Sequence, residues 1–96
     1  MEVTYHPLVR RDISEALHYY HKISPRLADE FYAELRVLID RAAEQPLRFH
    51  LAARELRRIN LRRFPYHVLY DIHSAAIRIL VIRHNKRHPD YGLNRE

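Results

Sequence analysis

The chain opens on Glu2-Val3-Thr4-Tyr5, a β-rich alternation that predicts a short strand with Val3 and Tyr5 facing inward. Pro7 suits the first turn of a helix. Val9, Ile13, Ala16, Leu17 and Tyr20 follow at helical spacing, on a helix that fades over residues 21–23. Its expected solvent face carries Arg10, Arg11, Asp12, Glu15 and His18. Ser24-Pro25 is a restart signal, with Ser24 as N-cap and Pro25 at the first helical position. A second apolar stripe then runs through Leu27, Ala28, Phe31, Tyr32, Leu35, Leu38, Ile39 and Ala42, until Pro46 stops it. So short a connection makes the two helices an antiparallel hairpin, and their stripes need a third surface to cover them.

The second half supplies that surface. Residues 47–53 carry no clear period and read as loop or a short helical turn. Residues 55–61 read as a strand, with Ile59 and Leu61 opposed to Arg58 and Asn60. Arg62 to Pro65 is a connection, because Pro65 interrupts any continuous ladder. Tyr66 to His73 alternates, Tyr66, Val68, Tyr70 and Ile72 sharing one face and His67, Leu69, Asp71 and His73 the other. Ala76 to Arg83 places Ile77, Ile79 and Val81 opposite Arg78, Leu80 and Ile82; both faces are apolar, as in an interior strand. Ser74-Ala75 between these strands is poor chemistry for a tight hairpin, which favours glycine or asparagine. The expected fold is α+β, in the order β-α-α-β-β-β. An N-terminal strand and a helical hairpin precede a three-stranded antiparallel meander, all in one sheet with the helices on one face.

Ninety-six residues suffice for one modest core, so residues 1–96 read as a single domain. There is no cysteine, which rules out a disulfide framework and a thiol nucleophile and suits a cytoplasmic setting. No aliphatic run approaches the length of a membrane span, and no signal-peptide pattern opens the chain. Charge changes the picture more. Residues 1–45 hold six Lys+Arg against eight Asp+Glu, and residues 46–96 hold eleven against four. All but Lys22 and Lys86 of these cations are arginines, whose planar fork suits phosphate and carboxylate oxygens.

The sheet face turned from the helices is expected to be free. It would present Arg58, Asn60, His67 and Asp71, with Arg57, Arg62, Arg63, Arg83, His84, Lys86, Arg87, His88 and Tyr91 around its edge and tail. Such a group suits an anionic partner. It also holds the residue types of ribonuclease chemistry: a base, an acid and guanidinium groups for a phosphate transition state. The plain alternative is a solvated sheet face with charged, aggregation-resistant edges. His84-x-x-x-His88 and His18-x-x-His21 lack a carboxylate or thiolate partner at motif spacing, so neither a metal site nor a cofactor is expected.

The helix RRDISEALHYYHKI (10–23) and the strands RRFPYHVLYDI (62–72) and IRILVIRHNKRHP (77–89) resemble the RelE/ParE superfamily of toxins from type II toxin–antitoxin modules. The resemblance covers nearly the whole chain and implies a growth-inhibiting toxin, neutralised by a cognate antitoxin that wraps it. Operator DNA would be met only through the antitoxin complex. It also implies a target: DNA gyrase or another macromolecule, bound by ParE-like members without chemistry of their own, or ribosome-bound mRNA, cut by RelE-like ones. A third implied possibility is an inactive member that only binds antitoxin. Aligned on the RelE-like catalytic pattern, the two strand lysines fall on Arg58 and Asn60 and the strand arginine on His67. The late arginine falls on Arg87, and the tail tyrosine corresponds to Tyr91 at a shorter distance. The candidate catalytic set is therefore Arg58, His67, Arg87 and Tyr91. The arginine-phenylalanine-proline-tyrosine start and the histidine after the last strand are similar to ParE-like members.

Overall fold

The structure, a computed structural model, describes residues 1–96. Its elements are β1 (Glu2–Tyr5), α1 (Val9–Ile23), α2 (Pro25–Glu44), β2 (Leu51–Ala53), β3 (Leu56–Asn60), β4 (Tyr66–His73) and β5 (Ala76–His84). They build one five-stranded sheet in the order β1-β5-β4-β3-β2. β1 runs parallel to β5, and every other pair is antiparallel.

The α+β class and the helical hairpin agree with the sequence. The sheet departs from a plain three-stranded meander. β2 occupies part of the stretch that carried no period, pairing Leu51 with Arg57 of β3. All three β2 residues are exposed, so no apolar alternation was there to reveal it. β1 adds to the far side of β5, and so the β4–β5 hairpin lies inside the sheet.

Between helices and sheet lies a core of 17 buried residues, among them Phe31, Leu35, Ile59, Val68, Tyr70, Ile77 and Ile79. Tyr20, Phe31, Phe64 and Tyr66 interlock at one end of it, with Phe64 5.0 Å from Tyr20 and 5.2 Å from Phe31. Fully buried Tyr70 satisfies its hydroxyl by donating to the Pro46 carbonyl at 2.6 Å. Tyr5, expected inward, is half exposed, while Val3 packs against the core.

A β-bulge decides which residues reach the second face. Leu69 pairs with Val81 but Tyr70 pairs with Ile79, leaving Leu80 without a partner. One extra residue flips every later side chain to the opposite face. Ile82 therefore joins the helix-side core, and Val81 joins Leu56, Leu69 and Leu80 on the other side, reversing the expected alternation. Arg83 lands beside His67, and His84 packs its ring 5.2 Å from Tyr66.

That second face is not free. Tyr91 and Leu93 of the C-terminal tail cover its apolar centre. The only glycine, Gly92, has φ +82, and a Cβ there would stand 2.7 Å from Val81 Cγ2. Glycine answers both the left-handed backbone and the close approach.

The tail is anchored by Asp12, which is buried rather than on the solvent face of α1. The last β1 contact to β5 is His6 N–H to Ile79 O, so the outer edge of β5 needs other partners from Leu80 onward. Asp12 Oδ2 accepts the Ile82 N–H at 3.1 Å, and Arg95 Nη1 donates to Leu80 O at 3.1 Å. An ion pair completes the ladder where the strand partner stops. No helix is long and apolar enough to cross a membrane.

Candidate functional site

His67 is the residue whose surroundings differ most from expectation. It sits in β4 opposite Arg83 of β5 and Asn60 of β3, and only 2% of it is exposed. Both ring nitrogens are occupied. Arg83 Nε donates to Nε2 at 2.8 Å, and Nδ1 lies 2.8 Å from Asn85 Oδ1. Guanidinium has no acceptor, so Nε2 must accept; Nδ1 then carries the proton and donates to Asn85. The ring is a neutral bridge, and burial pulls its pKa down to about 4, helped by the positive charges of Arg58 and Arg83.

Arg83 is itself buried, and burial lowers its pKa. Its Nη1 donates to the tail carbonyls of Pro89 and Tyr91, each at 2.8 Å, and more weakly to His88 O at 3.4 Å. Thus a residue placed by the sequence among surface cations instead ties the tail to the sheet.

The rest of the expected set is engaged in contacts of its own. Arg58 is half-buried and donates to Asn60 Oδ1 at 2.8 Å. Arg57 turns toward the 47–49 segment and donates to Phe49 O at 2.6 Å. Asp71 pairs with Arg78 across the strands at 3.5 Å, and its Oδ1 has no partner. In the 61–65 loop, the backbone N–H groups of Arg62 and Arg63 both donate to Glu34, and the Arg63 guanidinium reaches Glu30 at 3.0 Å. The loop backbone is held by α2, which leaves the Arg62 side chain exposed at the surface.

Beyond β5 the chain makes two tight turns. His84 Nδ1 accepts the Lys86 N–H at 3.0 Å and His88 Nδ1 accepts the Asp90 N–H at 3.1 Å. Backbone bonds from Arg87 to His84 and from Tyr91 to His88 close them. Lys86, Arg87 and His88 point outward from these turns. Arg87 stacks 4.2 Å over the Tyr91 ring and lies 3.9 Å from Glu15. Arg95 approaches the same ring at 5.4 Å. Tyr91 is therefore a packing partner for two guanidinium groups. No three His, Asp or Glu side chains gather in a way that would hold a metal ion.

A separate apolar groove of about 500 Å³ lies where β1 meets the helical hairpin. Tyr5, Pro7, Ile13, Tyr32, Leu35 and Ile39 line it, and Arg10 and Arg36 flank it. Tyr5 and Tyr32 are both substantially exposed there. Sequence reasoning counted them as core because their spacing on strand and helix is that of core residues. It also missed Asp12, Asn85, Glu34 and Arg95, whose partners lie far away along the chain.

Comparison with known proteins places the chain in a family. Residues 3–89 match the family described as ParE toxin of type II toxin-antitoxin system, parDE. Toxin ParE2 of Mycobacterium tuberculosis, in two strains, is 33% identical over 86 residues, spanning 88% of this chain and 82% of the relative. A chain from the chromosomal ParDE TA system of P. aeruginosa has the same fold: the TM-score is 0.72 at 19% identity, over 88% of this chain and 95% of that one.

Proposed function

Because this chain belongs to the ParE toxin family and is the toxin of a type II toxin–antitoxin system, we propose that it arrests growth by binding DNA gyrase, with no bond-breaking chemistry of its own. The observation that carries this reading is the state of His67. Ribonuclease chemistry needs a group that takes a proton from the substrate and another that returns one, both within hydrogen-bond reach of it. His67 is 2% exposed and both its nitrogens are engaged. Arg58 is turned toward Asn60, and the Tyr91 ring lies against two arginines. Of the candidate catalytic residues, His67 is thus withdrawn from solvent, and Arg58, Arg87 and Tyr91 are engaged with neighbouring side chains.

What remains accessible is a binding surface. Lys86, Arg87 and His88 stand out on an ordered turn, with Arg62 and Arg63 on the neighbouring loop. This surface meets the target. The partner of the system, the cognate antitoxin, docks in the groove lined by Tyr5, Ile13 and Tyr32, where Arg10 and Arg36 favour an acidic amphipathic segment. The test is a supercoiling assay with purified gyrase and plasmid. The purified chain should inhibit supercoiling or trap cleaved DNA, and adding antitoxin should reverse the effect. Intact gyrase activity together with mRNA cut on isolated ribosomes would instead establish the RelE-like endonuclease. Inactivity in both assays, with antitoxin still bound, would leave a partner-binding protein only.

A further inference from the structure

The two turns that carry Lys86, Arg87 and His88 have little core of their own. Residues 84–90 include no buried side chain. A segment of this composition, held only by its own short-range hydrogen bonds, would sample many conformations and lose affinity to the cost of ordering itself. Here it is ordered from beneath. Arg83 gathers three carbonyls of the segment, those of His88, Pro89 and Tyr91. The rotamer of Arg83 is set in turn by His67 Nε2, which accepts from Nε. Asn85, at the first turn, closes the circuit by accepting from His67 Nδ1, and its own N–H donates to Pro65 O at 2.8 Å.

We propose that His67 and Arg83 are positioning residues: as a buried hydrogen-bonded pair they hold segment 84–91 in one conformation, so that Lys86, Arg87 and His88 meet an anionic surface of the toxin's target as a preformed unit. The proposal rests on the binding reading above and adds the device that makes the surface rigid. It also accounts for a buried histidine bonded to a buried arginine, an arrangement that costs desolvation. Only a neutral ring can do this. A protonated His67 would present a second donor to Arg83 and expel it.

The groups facing His67 are consistent with that role. Arg58 from β3 and Arg83 and His84 from β5 all disfavour a proton on the ring, and Asn85 is its one acceptor. No carboxylate among its neighbours offsets them. The ring therefore stays neutral, and the pair stays made, throughout the neutral range.

The test uses the full chain with two substitutions at one position. His67→Leu fills the buried volume but can neither accept from Arg83 nor donate to Asn85. His67→Gln retains one acceptor and one donor. Amide hydrogen exchange at Arg87 and Tyr91 reports on the two turns, growth arrest on induction reports on the target, and co-purification reports on the antitoxin. In His67→Leu, exchange at those amides should quicken by about tenfold or more and growth arrest should weaken comparably, while antitoxin is still retained. His67→Gln should restore both. Unchanged exchange in His67→Leu, quickened exchange with full toxicity, or failure of His67→Gln to restore either readout would each overturn the proposal. If His67→Leu does not fold, Arg83→Met removes the grip on the carbonyls and carries the same expectations. Should the wild-type chain leave gyrase untouched, the gyrase reading falls. Exchange and growth arrest would still decide the positioning role.

Discussion

Arg95 closes a bidentate ion pair on Asp12, 83 positions earlier in the chain, with nitrogen–oxygen distances of 2.6 and 2.9 Å. Both side chains are almost wholly out of solvent, at 6% and 3% exposure. The pair fastens the end of the chain to the first helix and satisfies the β5 backbone where β1 stops short. The hydrogen bond to Asp12 also raises the Arg95 pKa, so the guanidinium is charged at any accessible pH.

Arg95→Met leaves a buried carboxylate without its cation, and loss of one partner from a buried pair typically costs about 3–5 kcal/mol. A loss of that size should appear as a lower urea midpoint with unchanged slope. Adding Asp12→Asn removes the orphaned charge while keeping an oxygen for the Ile82 N–H. The double variant should therefore be more stable than Arg95→Met alone. A drop below about 1 kcal/mol for Arg95→Met would mean that the pair is worth no more than a surface contact.

Acid should act through His67. Its folded pKa is about 4 against an ordinary 6.5, so between those values the unfolded chain binds a proton that the native chain refuses. Stability contributed by the neutral ring is fully present above pH 6.5 and is lost as pH falls toward 4, by about 3 kcal/mol in all. Carboxylates titrate in the lower part of this window, so the comparison is with His67→Gln. The wild-type stability curve should fall more steeply from pH 6.5 to 4, as measured by urea melts at each pH. Parallel curves would remove His67 as the cause.

The β4–β5 turn offers a gain. Ser74 and Ala75 have φ of +50 and +60, and Arg54 and Glu55 in the β2–β3 turn are also left-handed, at +51 and +66. Two successive positive φ angles define the hairpin turn that asparagine-glycine fits best. Ser74→Asn with Ala75→Gly should stabilise the domain by about 1 kcal/mol and raise the melting temperature by several degrees. A lower melting temperature would show that the present side chains make contacts worth more than the backbone strain.

At the groove, Arg10→Glu with Arg36→Glu reverses the charge flanking Tyr5, Ile13 and Tyr32. Antitoxin affinity should fall by about tenfold or more, mainly through slower association, as expected for rim charges. Toxicity of the free chain should be unaffected. Unchanged affinity, measured by titration calorimetry, would place the antitoxin elsewhere.

Much of this architecture was legible in the residues. The two helical stripes, the β3 and β4 alternations and the first half of β5 each follow one period, and local chemistry sufficed to read them. The Ser24-Pro25 helix start was as plain. Three features were not local. Leu80 looks like any strand residue, yet its bulge exchanged the faces of Val81 and Ile82 and drew Arg83 inward. β2 has no buried side chain and exists through backbone pairing alone. The tail reads as polar and basic, and its hold on the sheet depends on a buried pair of Arg95 with Asp12, which helical spacing places on the solvent face of α1. The one signal available was Gly92, a lone glycine between Tyr91 and Leu93, where a turn brings two apolar side chains onto the sheet.

The same features moved the candidate site. Strand alternation placed His67 on the face away from the helices, which is correct, but that face is roofed by the tail. A histidine expected in solvent became a buried bridge. The proposal that this toxin binds its target rather than cutting RNA rests on that change. The most direct measurement is to induce the chain alone in bacteria, then map mRNA 5′ ends and plasmid topology from the same culture. The account predicts altered supercoiling or double-strand breaks with no new mRNA ends. New ends within translated codons, on plasmid of unchanged topology, would contradict it.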